Sequence, residues 1–193
     1  MLEKEVKRII KRMPVLETER LLLRKLNIRD TSDVFEYSSN PIVPRFLTWS
    51  PHEDEEYTRD YLRFLVKKYR SGEYLDWALA LKDGGKVIGT CGFTSVDINN
   101  SKVEIGYVLS EKYWRNGYGA EAVRRVVSYV FDTLEMNRIE ARVLIGNTPS
   151  ENLLLKLGFT KEGMGKSELF VKGTFCDVSH FALCRVDYLN SKK

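Results

Sequence analysis

The chain has 193 residues, of which 43% are hydrophobic, and it carries a formal net charge of +4. That length suits one domain with a sizeable core, while the charge is too small and too scattered to indicate direct nucleic-acid binding. No apolar run approaches the roughly 18 residues of a membrane span and no signal peptide is visible, so we expect a cytoplasmic protein without membrane contact.

Residues 1–13 are expected to form a helical N-terminal extension. Leu2, Val6, Ile9 and Ile10 can share one helical face among basic residues. A helix docked on the domain is the simplest interpretation of this stripe. A homodimer contact or a membrane-surface patch is the alternative, and one short stripe does not distinguish them.

The pattern from residue 14 to residue 190 predicts a single domain. Asp83-Gly84-Gly85 is a turn signal that predicts a hairpin. Helical patterns occupy 30–39, 53–70 and the segment after Gly119, and strand patterns occupy 19–26, 77–81, 86–96, 103–109, 138–145, 159–171 and 175–187. This order indicates an α+β fold with a mixed, mostly antiparallel central sheet of about seven strands and helices on both faces.

The cysteines and histidines do not indicate a metal site. Cys91, Cys176 and Cys184 are irregularly spaced and are expected to be reduced thiols. The two histidines, His52 and His180, have no ligand-like spacing.

The segment from Leu109 to Ala120 follows a predicted strand and opens the longest amphipathic helix. Gly117 and Gly119 stand at the helix start, where unpaired backbone N–H groups and the helix dipole favour a phosphate or pyrophosphate. A P-loop is excluded because no Lys-Ser/Thr pair follows the glycine, and the dinucleotide fingerprint lacks its third glycine. An ordinary turn remains the alternative to an anion site.

A second segment, from Asn147 to Phe159, follows the strand predicted at 138–145. Thr148 and Glu151 have the spacing of a capping box, and Pro149 fits the first helical position. Capping of this kind explains neither Asn147 nor Ser150.

Together the two segments resemble the GCN5-related N-acetyltransferase (GNAT) family, in which an R/Q-x-x-G-x-G/A loop precedes an N-x-x-S…K-x-G-F segment. The Tyr113–Trp114 pair is similar to the RimJ/RimL branch, which acetylates protein N-termini, although Trp114 stands where many members have Gln or Arg. The resemblance covers roughly residues 14 to 188. It implies the acyl-CoA N-acyltransferase fold, with acetyl-CoA as co-substrate and no metal.

The resemblance also implies roles for the coenzyme-binding residues. Leu109 would contact the acetyl end through its backbone, and Asn147 would hydrogen-bond the pantetheine arm. The pyrophosphate would be held by the loop, which comprises Trp114, Arg115, Asn116, Gly117, Tyr118, Gly119 and Ala120.

Three residues are candidates for proton transfer. Ser150 is either a proton donor to the departing thiolate or a hydroxyl that satisfies the helix N-terminus. Glu104 is the first candidate for the base that deprotonates the amine, and its alternative is a solvent-facing strand residue. Glu168 lies near the position of a catalytic glutamate in RimL-like members. Direct proton loss to water is the remaining option.

The expected reaction is direct transfer of acetyl from acetyl-CoA to a primary amine. The acceptor predicted first is a protein N-terminal α-amine, as on ribosomal proteins, and segment 39–51 would border its site. With ordinary pKa values of ~7.8 for an α-amine and ~10.4 for lysine, roughly a tenth or more of the α-amine but well under 0.1% of the lysine is neutral at pH 7. A small amine (polyamine, antibiotic or amino-acid derivative) is an alternative acceptor, and a non-catalytic coenzyme A-binding module is the third hypothesis.

Overall fold

The structure, a computed structural model, describes residues 12–71 and 75–192. The helix predicted for residues 1–13 therefore lies outside the described residues, except for its last two positions. The side chain of Met13 is buried in the core.

The described residues form eight strands and five helices. The strands are β1 (Leu16–Glu17), β2 (Leu21–Arg24), β3 (Leu75–Leu81), β4 (Val87–Asp97), β5 (Lys102–Leu109), β6 (Arg138–Leu144), β7 (Thr160–Val171) and β8 (Thr174–Cys184). The helices are α1 (Thr31–Ser38), α2 (Glu55–Ser71), α3 (Tyr118–Ser128), α4 (Thr148–Lys156) and α5 (Arg185–Asn190).

All eight strands belong to one sheet in the order β1-β2-β3-β4-β5-β6-β8-β7. Every neighbouring pair is antiparallel except β5 and β6, which are parallel. The α+β fold and the mixed, mostly antiparallel sheet are thus confirmed. The count exceeds seven because the two-residue β1, which has no sequence pattern of its own, pairs with β2.

Helices cover both faces of the sheet at its centre. Seven consecutive residues of β4, from Val87 to Phe93, are buried, which requires cover on each side of the strand. Helix α1 packs on β4 and on α2, while α3 packs on β1, β2, β4 and β5. The indole of Trp77 lies in this core at 1% exposure, edge-on to Phe93 and Tyr129, and its Nε1 donates to the carbonyl of Pro14 at 2.8 Å.

Strands β5 and β6 separate in the middle of the sheet. They pair at only three positions, from Lys102 opposite Arg138 to Glu104 opposite Glu140, although they are eight and seven residues long. Beyond that point the two strands diverge and leave a gap, which we call the fork. Each strand keeps its outer partner, β4 or β8, so the sheet remains continuous.

On one face of β5, β6, β8 and β7, charged side chains replace the apolar core. Ile139, Ala141 and Val143 of β6 are buried toward the opposite face, so the residues between them point to this one. We call this surface the charged face; its residues are Lys102, Glu104, Arg138, Glu140, Arg142, Glu162, Glu168 and His180. It adjoins the fork.

Two predicted elements end differently in the structure. The strand predicted at 175–187 stops at Cys184, and Arg185 begins helix α5. The long amphipathic helix is regular only to Ser128 and continues as one π turn over Tyr129–Thr133. Both differences accompany packing between the two segments, because the ring of Phe131 in the π turn contacts the ring of Tyr188 in α5. The hairpin predicted at Gly84–Gly85 is present, with both glycines at positive φ.

Replacing Trp77 with Ala should lower the free energy of unfolding by about 3–5 kcal/mol, since a large buried ring is lost and a cavity remains. Chemical denaturation followed by circular dichroism measures the change. Val186→Ala is the control, because Val186 is 62% exposed and contributes little to the core. A loss below about 1 kcal/mol for Trp77→Ala would contradict this packing.

Candidate active site

The glycine loop joins the end of β5 to the start of α3. A single 3-10 turn, Glu111–Tyr113, is followed by Arg115 at φ 61° and Gly117 at φ 83°, both in the left-handed region. Gly117 precedes the first residue of α3, and the N–H of Glu121 is bonded to its carbonyl. The amides ahead of Glu121 have no acceptor in a preceding helical turn and are available to an anion.

Arg20, which sequence analysis missed, fixes this loop from the neighbouring edge of the sheet. Its Nη1 donates to the carbonyl of Asn116 at 3.0 Å, and its Nε donates to Glu121 Oε2 at 2.7 Å. The guanidinium also lies 4.1 Å from the ring centroid of Tyr118. No local pattern marks Arg20, because its partners lie about a hundred residues away.

Asn147 begins α4, and this corrects the predicted capping box. The N-cap is Asn147 and not Thr148, and its side chain accepts from the amide of Ser150 at 3.4 Å. The carboxylate of Glu151 instead binds Lys161 Nζ at 3.1 Å. Capping therefore accounts for Asn147 locally, while its predicted contact with pantetheine remains a prediction.

The two motifs meet at Gly119. A Cβ placed there would lie 3.2 Å from Leu153 Cδ1 of α4 and 4.0 Å from Leu109 Cδ2 at the end of β5. The absence of a side chain lets the starts of α3 and α4 approach each other beside the fork. The glycine loop and the Asn147 segment thus border one space.

Ser150 is paired with a tyrosine that the sequence analysis did not single out. The Tyr107 Oη and Ser150 Oγ atoms are 2.7 Å apart, linking the β5 side of the fork to the start of α4. Burial raises the pKa of Tyr107 well above its ordinary value, although the Ser150 hydrogen bond acts in the opposite direction. The phenol stays protonated at neutral pH and can donate to Ser150, which leaves the Ser150 proton free to point elsewhere.

The Leu109 carbonyl at the end of β5 accepts a hydrogen bond from Trp114 Nε1 at 2.8 Å. This contact folds the glycine loop back onto the strand that precedes it. It gives Trp114 a structural function at the position where many GNAT members have Gln or Arg. Coenzyme contacts of Leu109 and Trp114 remain predictions.

Glu104 occupies the last paired position of β5 before the fork. Its side chain is 15% exposed and lies on the charged face, while the next residue, Ile105, is buried in the core, so the base role of Glu104 remains a prediction. Oε1 accepts from Thr94 Oγ1 at 2.9 Å and from Arg142 Nε at 3.1 Å across the fork. Gly106 leaves room for Thr94, since a Cβ on Gly106 would lie 2.7 Å from the methyl carbon of Thr94.

Glu168 lies on the same charged face, one strand beyond β8. Its Oε2 is 2.6 Å from His180 Nε2, and His180 is the cross-strand partner of Arg142. Both side chains are about one-third exposed. The structure therefore brings Glu104 and Glu168 to one face, each bound to a different basic side chain.

Segment 39–51 bridges the ends of the strands around the fork. Asn40 Nδ2 donates to Glu111 after β5 at 2.7 Å, and Lys172 Nζ of the β7–β8 turn donates to the carbonyl of Pro44 at 2.6 Å. The ring of Phe46 lies 3.5 Å from the position of a Cβ on Gly146, just after β6. The segment thus lies against the ends of β5 and β6 and the β7–β8 turn, and its position at the border of the acceptor site remains a prediction.

Comparison with known proteins identifies the family of this chain. The family model for the acetyltransferase (GNAT) domain matches residues 20–160, so the chain belongs to the GNAT family. It is 38% identical over 176 residues to the uncharacterized N-acetyltransferase p20 of Bacillus licheniformis, covering 91% of this chain and 99% of that protein.

A more distant relative has a named acceptor. The [ribosomal protein uS5]-alanine N-acetyltransferase of Escherichia coli (strain K12) is 28% identical over 182 residues, covering 90% of this chain and 92% of the relative. Among solved structures, the GNAT-family acetyltransferase from Bacillus anthracis superposes with a TM-score of 0.78 at 26% identity, covering 90% and 99% of the two chains.

The protein is therefore an acetyl-CoA-dependent acetyltransferase. The site fits that co-substrate: the amides at the start of α3 suit a pyrophosphate, and the unpaired edges of β5 and β6 suit the amide-bearing pantetheine arm. Acetyl-CoA supplies an activated acyl group at the thioester. No group of three or more metal-ligating side chains occurs within residues 12–71 and 75–192, and no helix there is long and apolar enough to cross a membrane.

Replacing Gly117 with Glu should weaken acetyl-CoA binding about 100-fold or more, because the side chain adds strain at positive φ and a negative charge at the anion site. Isothermal calorimetry measures the affinity. Gly84→Glu is the matched control: Gly84 is also at positive φ, and nothing lies within 4 Å of its Cβ position. Equal affinities for the two variants would refute the pyrophosphate assignment.

Replacing Glu121 with Gln should make stability less dependent on pH. Burial raises the Glu121 pKa, but hydrogen bonds from Thr18 and Arg20 outweigh burial and leave the pKa below its ordinary value. A carboxyl with a lowered folded pKa stabilises the fold above its unfolded pKa, about 4.3, and this contribution disappears as pH falls through the folded value.

Thermal unfolding midpoints of wild type and Glu121→Gln should therefore differ at pH 7 and converge in acid, below the ordinary glutamate pKa. The exposed Glu53→Gln serves as control and should follow wild type throughout. A difference that stays constant with pH would contradict the assignment.

Proposed function

We propose that this enzyme transfers acetyl directly to the N-terminal α-amine of a protein or peptide. The observation that carries the proposal is that both carboxylates on the charged face already have partners: Glu104 is bound to Arg142, and Glu168 is hydrogen-bonded to His180. A polyamine site needs carboxylates that are free to meet several ammonium groups. Here the acceptor face already contains its own cations, which suits a single uncharged amine.

The uS5-alanine relative supports the same acceptor class, since it acetylates an alanine of a ribosomal protein and the match spans most of both chains. The chemistry agrees, because a neutral α-amine is far more abundant at pH 7 than a neutral lysine. An enzyme for α-amines therefore needs only a modest base.

The residues around the fork have different functions in the reaction. Amides of the glycine loop hold the pyrophosphate, and Arg20 holds the loop in shape. On the helix face, Ser150 is positioned by Tyr107 to return a proton to the departing thiolate. On the charged face, the amine approaches between segment 39–51 and β8 and loses its proton there.

An acceptor comparison tests the proposal. Peptides with a free N-terminal Ala or Ser and one internal Lys are incubated with acetyl-CoA, alongside the same peptides with a blocked α-amine and spermidine. Thiol release gives the rate, and mass spectrometry of fragments gives the modified nitrogen.

The free-α-amine peptides should have a kcat/KM at least about tenfold above the blocked peptides and spermidine, with acetyl on the N-terminus, since their neutral fraction is larger. The Gly117→Glu variant controls for non-enzymatic acetylation. Comparable or faster turnover of spermidine or of the internal lysine would overturn the proposed acceptor.

A further inference from the structure

The His180–Glu168 pair has a geometry that a lone carboxylate base does not need. Glu168 Oε2 binds one ring nitrogen, Nε2, at 2.6 Å. The other nitrogen, Nδ1, has no hydrogen-bond partner among the described residues. A histidine bonded to a carboxylate through one nitrogen keeps the second nitrogen as an oriented proton acceptor.

The β7 strand is distorted in a way that holds this pair together. The β7–β8 register shifts between Gly165 and Leu169, and Ser167 within the shift has φ 50°. The Ser167 amide is fixed by Asp177 Oδ1 at 2.8 Å. A Cβ on Gly165 would lie 1.6 Å from Glu168 Oε2, so the carboxylate occupies the space that any other residue would fill.

His180 lies on the charged face, on the strand next to β6. It lies opposite Arg142 on β6, and Arg142 itself reaches Glu104 across the fork at 3.1 Å. A side chain on β8 that points to the same face is therefore one strand away from the gap. Glu104 is less suited to take a proton, because its Oε1 already accepts from Thr94 and Arg142.

We propose that His180 is the general base of the acetyl transfer and that Glu168 is its positioning residue. This rests on the proposed direct transfer to a primary amine, whichever amine is the acceptor. His180 Nδ1 takes a proton from the amine as the N–C bond forms at the acyl carbon and the C–S bond breaks. The thiolate takes a proton from Ser150, which regains one from solvent, and His180 releases its proton to solvent.

Charged groups face His180 from the strands on both sides of β8. Glu168 and Glu162 approach from β7, and Arg142 approaches from β6. Glu162 is bound to Arg138, which lowers the pKa of the Glu162 carboxyl. His180 lowers this pKa by a smaller amount, and burial opposes both effects. Glu168 is thus the carboxylate bound directly to the His180 ring.

Kinetics against pH test the assignment. With both substrates saturating, kcat of wild type should fall in acid as His180 becomes protonated. His180→Gln should lower kcat about 100-fold or more and remove this acidic limb, with acetyl-CoA affinity unchanged. Glu168→Gln should keep the limb but move it to lower pH, because the imidazolium loses its negative partner. Gly165→Ala should shift the limb in the same direction by displacing Glu168.

Glu162→Gln is the control, since it removes a carboxylate from the same strand that does not bond to His180. Because Glu162 interacts with His180 only through its charge, the limb of this variant should move in the same direction as that of Glu168→Gln but by less. The opposite pattern, in which Glu168→Gln removes the limb and His180→Gln keeps it, would make Glu168 the base. A limb unchanged in both variants would assign the proton to Glu104 or water. Either result overturns the proposal.

A second measurement needs no acceptor. The chain contains only two histidines, His52 and His180, so their imidazole signals can be followed by NMR and assigned with His180→Gln. Burial lowers the pKa of His52. Glu168→Gln should change the His180 imidazole signals, because the hydrogen bond at Nε2 is altered, and unchanged His180 signals would refute the pair. Failure of N-terminal peptides as acceptors would leave this result intact.

Discussion

The site depends on one constraint: two parallel strands in the centre of the sheet pair over three residues and then separate. β5 is held by eight antiparallel pairings to β4, and β6 by seven to β8, so neither needs the other beyond Glu104 and Glu140. The separation leaves backbone groups without strand partners at the centre of a stable sheet. Unpaired backbone groups are costly unless something satisfies them. An extended chain with amides of its own can do so, and this is why the fork, more than the glycine loop alone, fits a pantetheine arm.

The fork also connects the two faces of the sheet, which carry different candidate proton-transfer groups. On the helix face, the starts of α3 and α4 meet at Gly119, and Tyr107 positions Ser150. On the charged face, Arg142 and His180 are each bound to a carboxylate. In the mechanism that we propose, a proton leaves the amine on one face and another reaches the sulfur on the opposite face. The proposed base and the proposed acid are thereby kept apart.

Sequence patterns predicted the features that depend on residues close together in the chain. The Asp83–Gly85 hairpin, the positions of the strands and the helix that begins after Gly117 all follow from side-chain period and backbone conformation. One error arose because two neighbouring residues can both cap a helix, and Asn147, not Thr148, caps α4. Another arose because tertiary packing determines where β8 ends, and Arg185 begins a helix instead of continuing the strand. The contacts of Arg20 with Asn116, of Tyr107 with Ser150 and of His180 with Glu168 could not be predicted. They join residues that only the folded sheet brings together.

Two of the six non-glycine residues with positive φ in the described part of the chain lie at the candidate site. Arg115 adopts φ 61° in the glycine loop and Ser167 adopts φ 50° beside Glu168, and a left-handed conformation costs an ordinary residue roughly 1–2 kcal/mol. Such strain persists where surrounding contacts impose it: the Trp114 indole and Arg20 at the first site, and Asp177 at the second. The two sites lie on opposite sides of the fork and share none of these contacts. Changes at the β7 distortion should therefore affect the proposed proton acceptor while coenzyme affinity stays constant. Substitutions there can change the reaction with the acceptor without changing the binding of the acetyl donor.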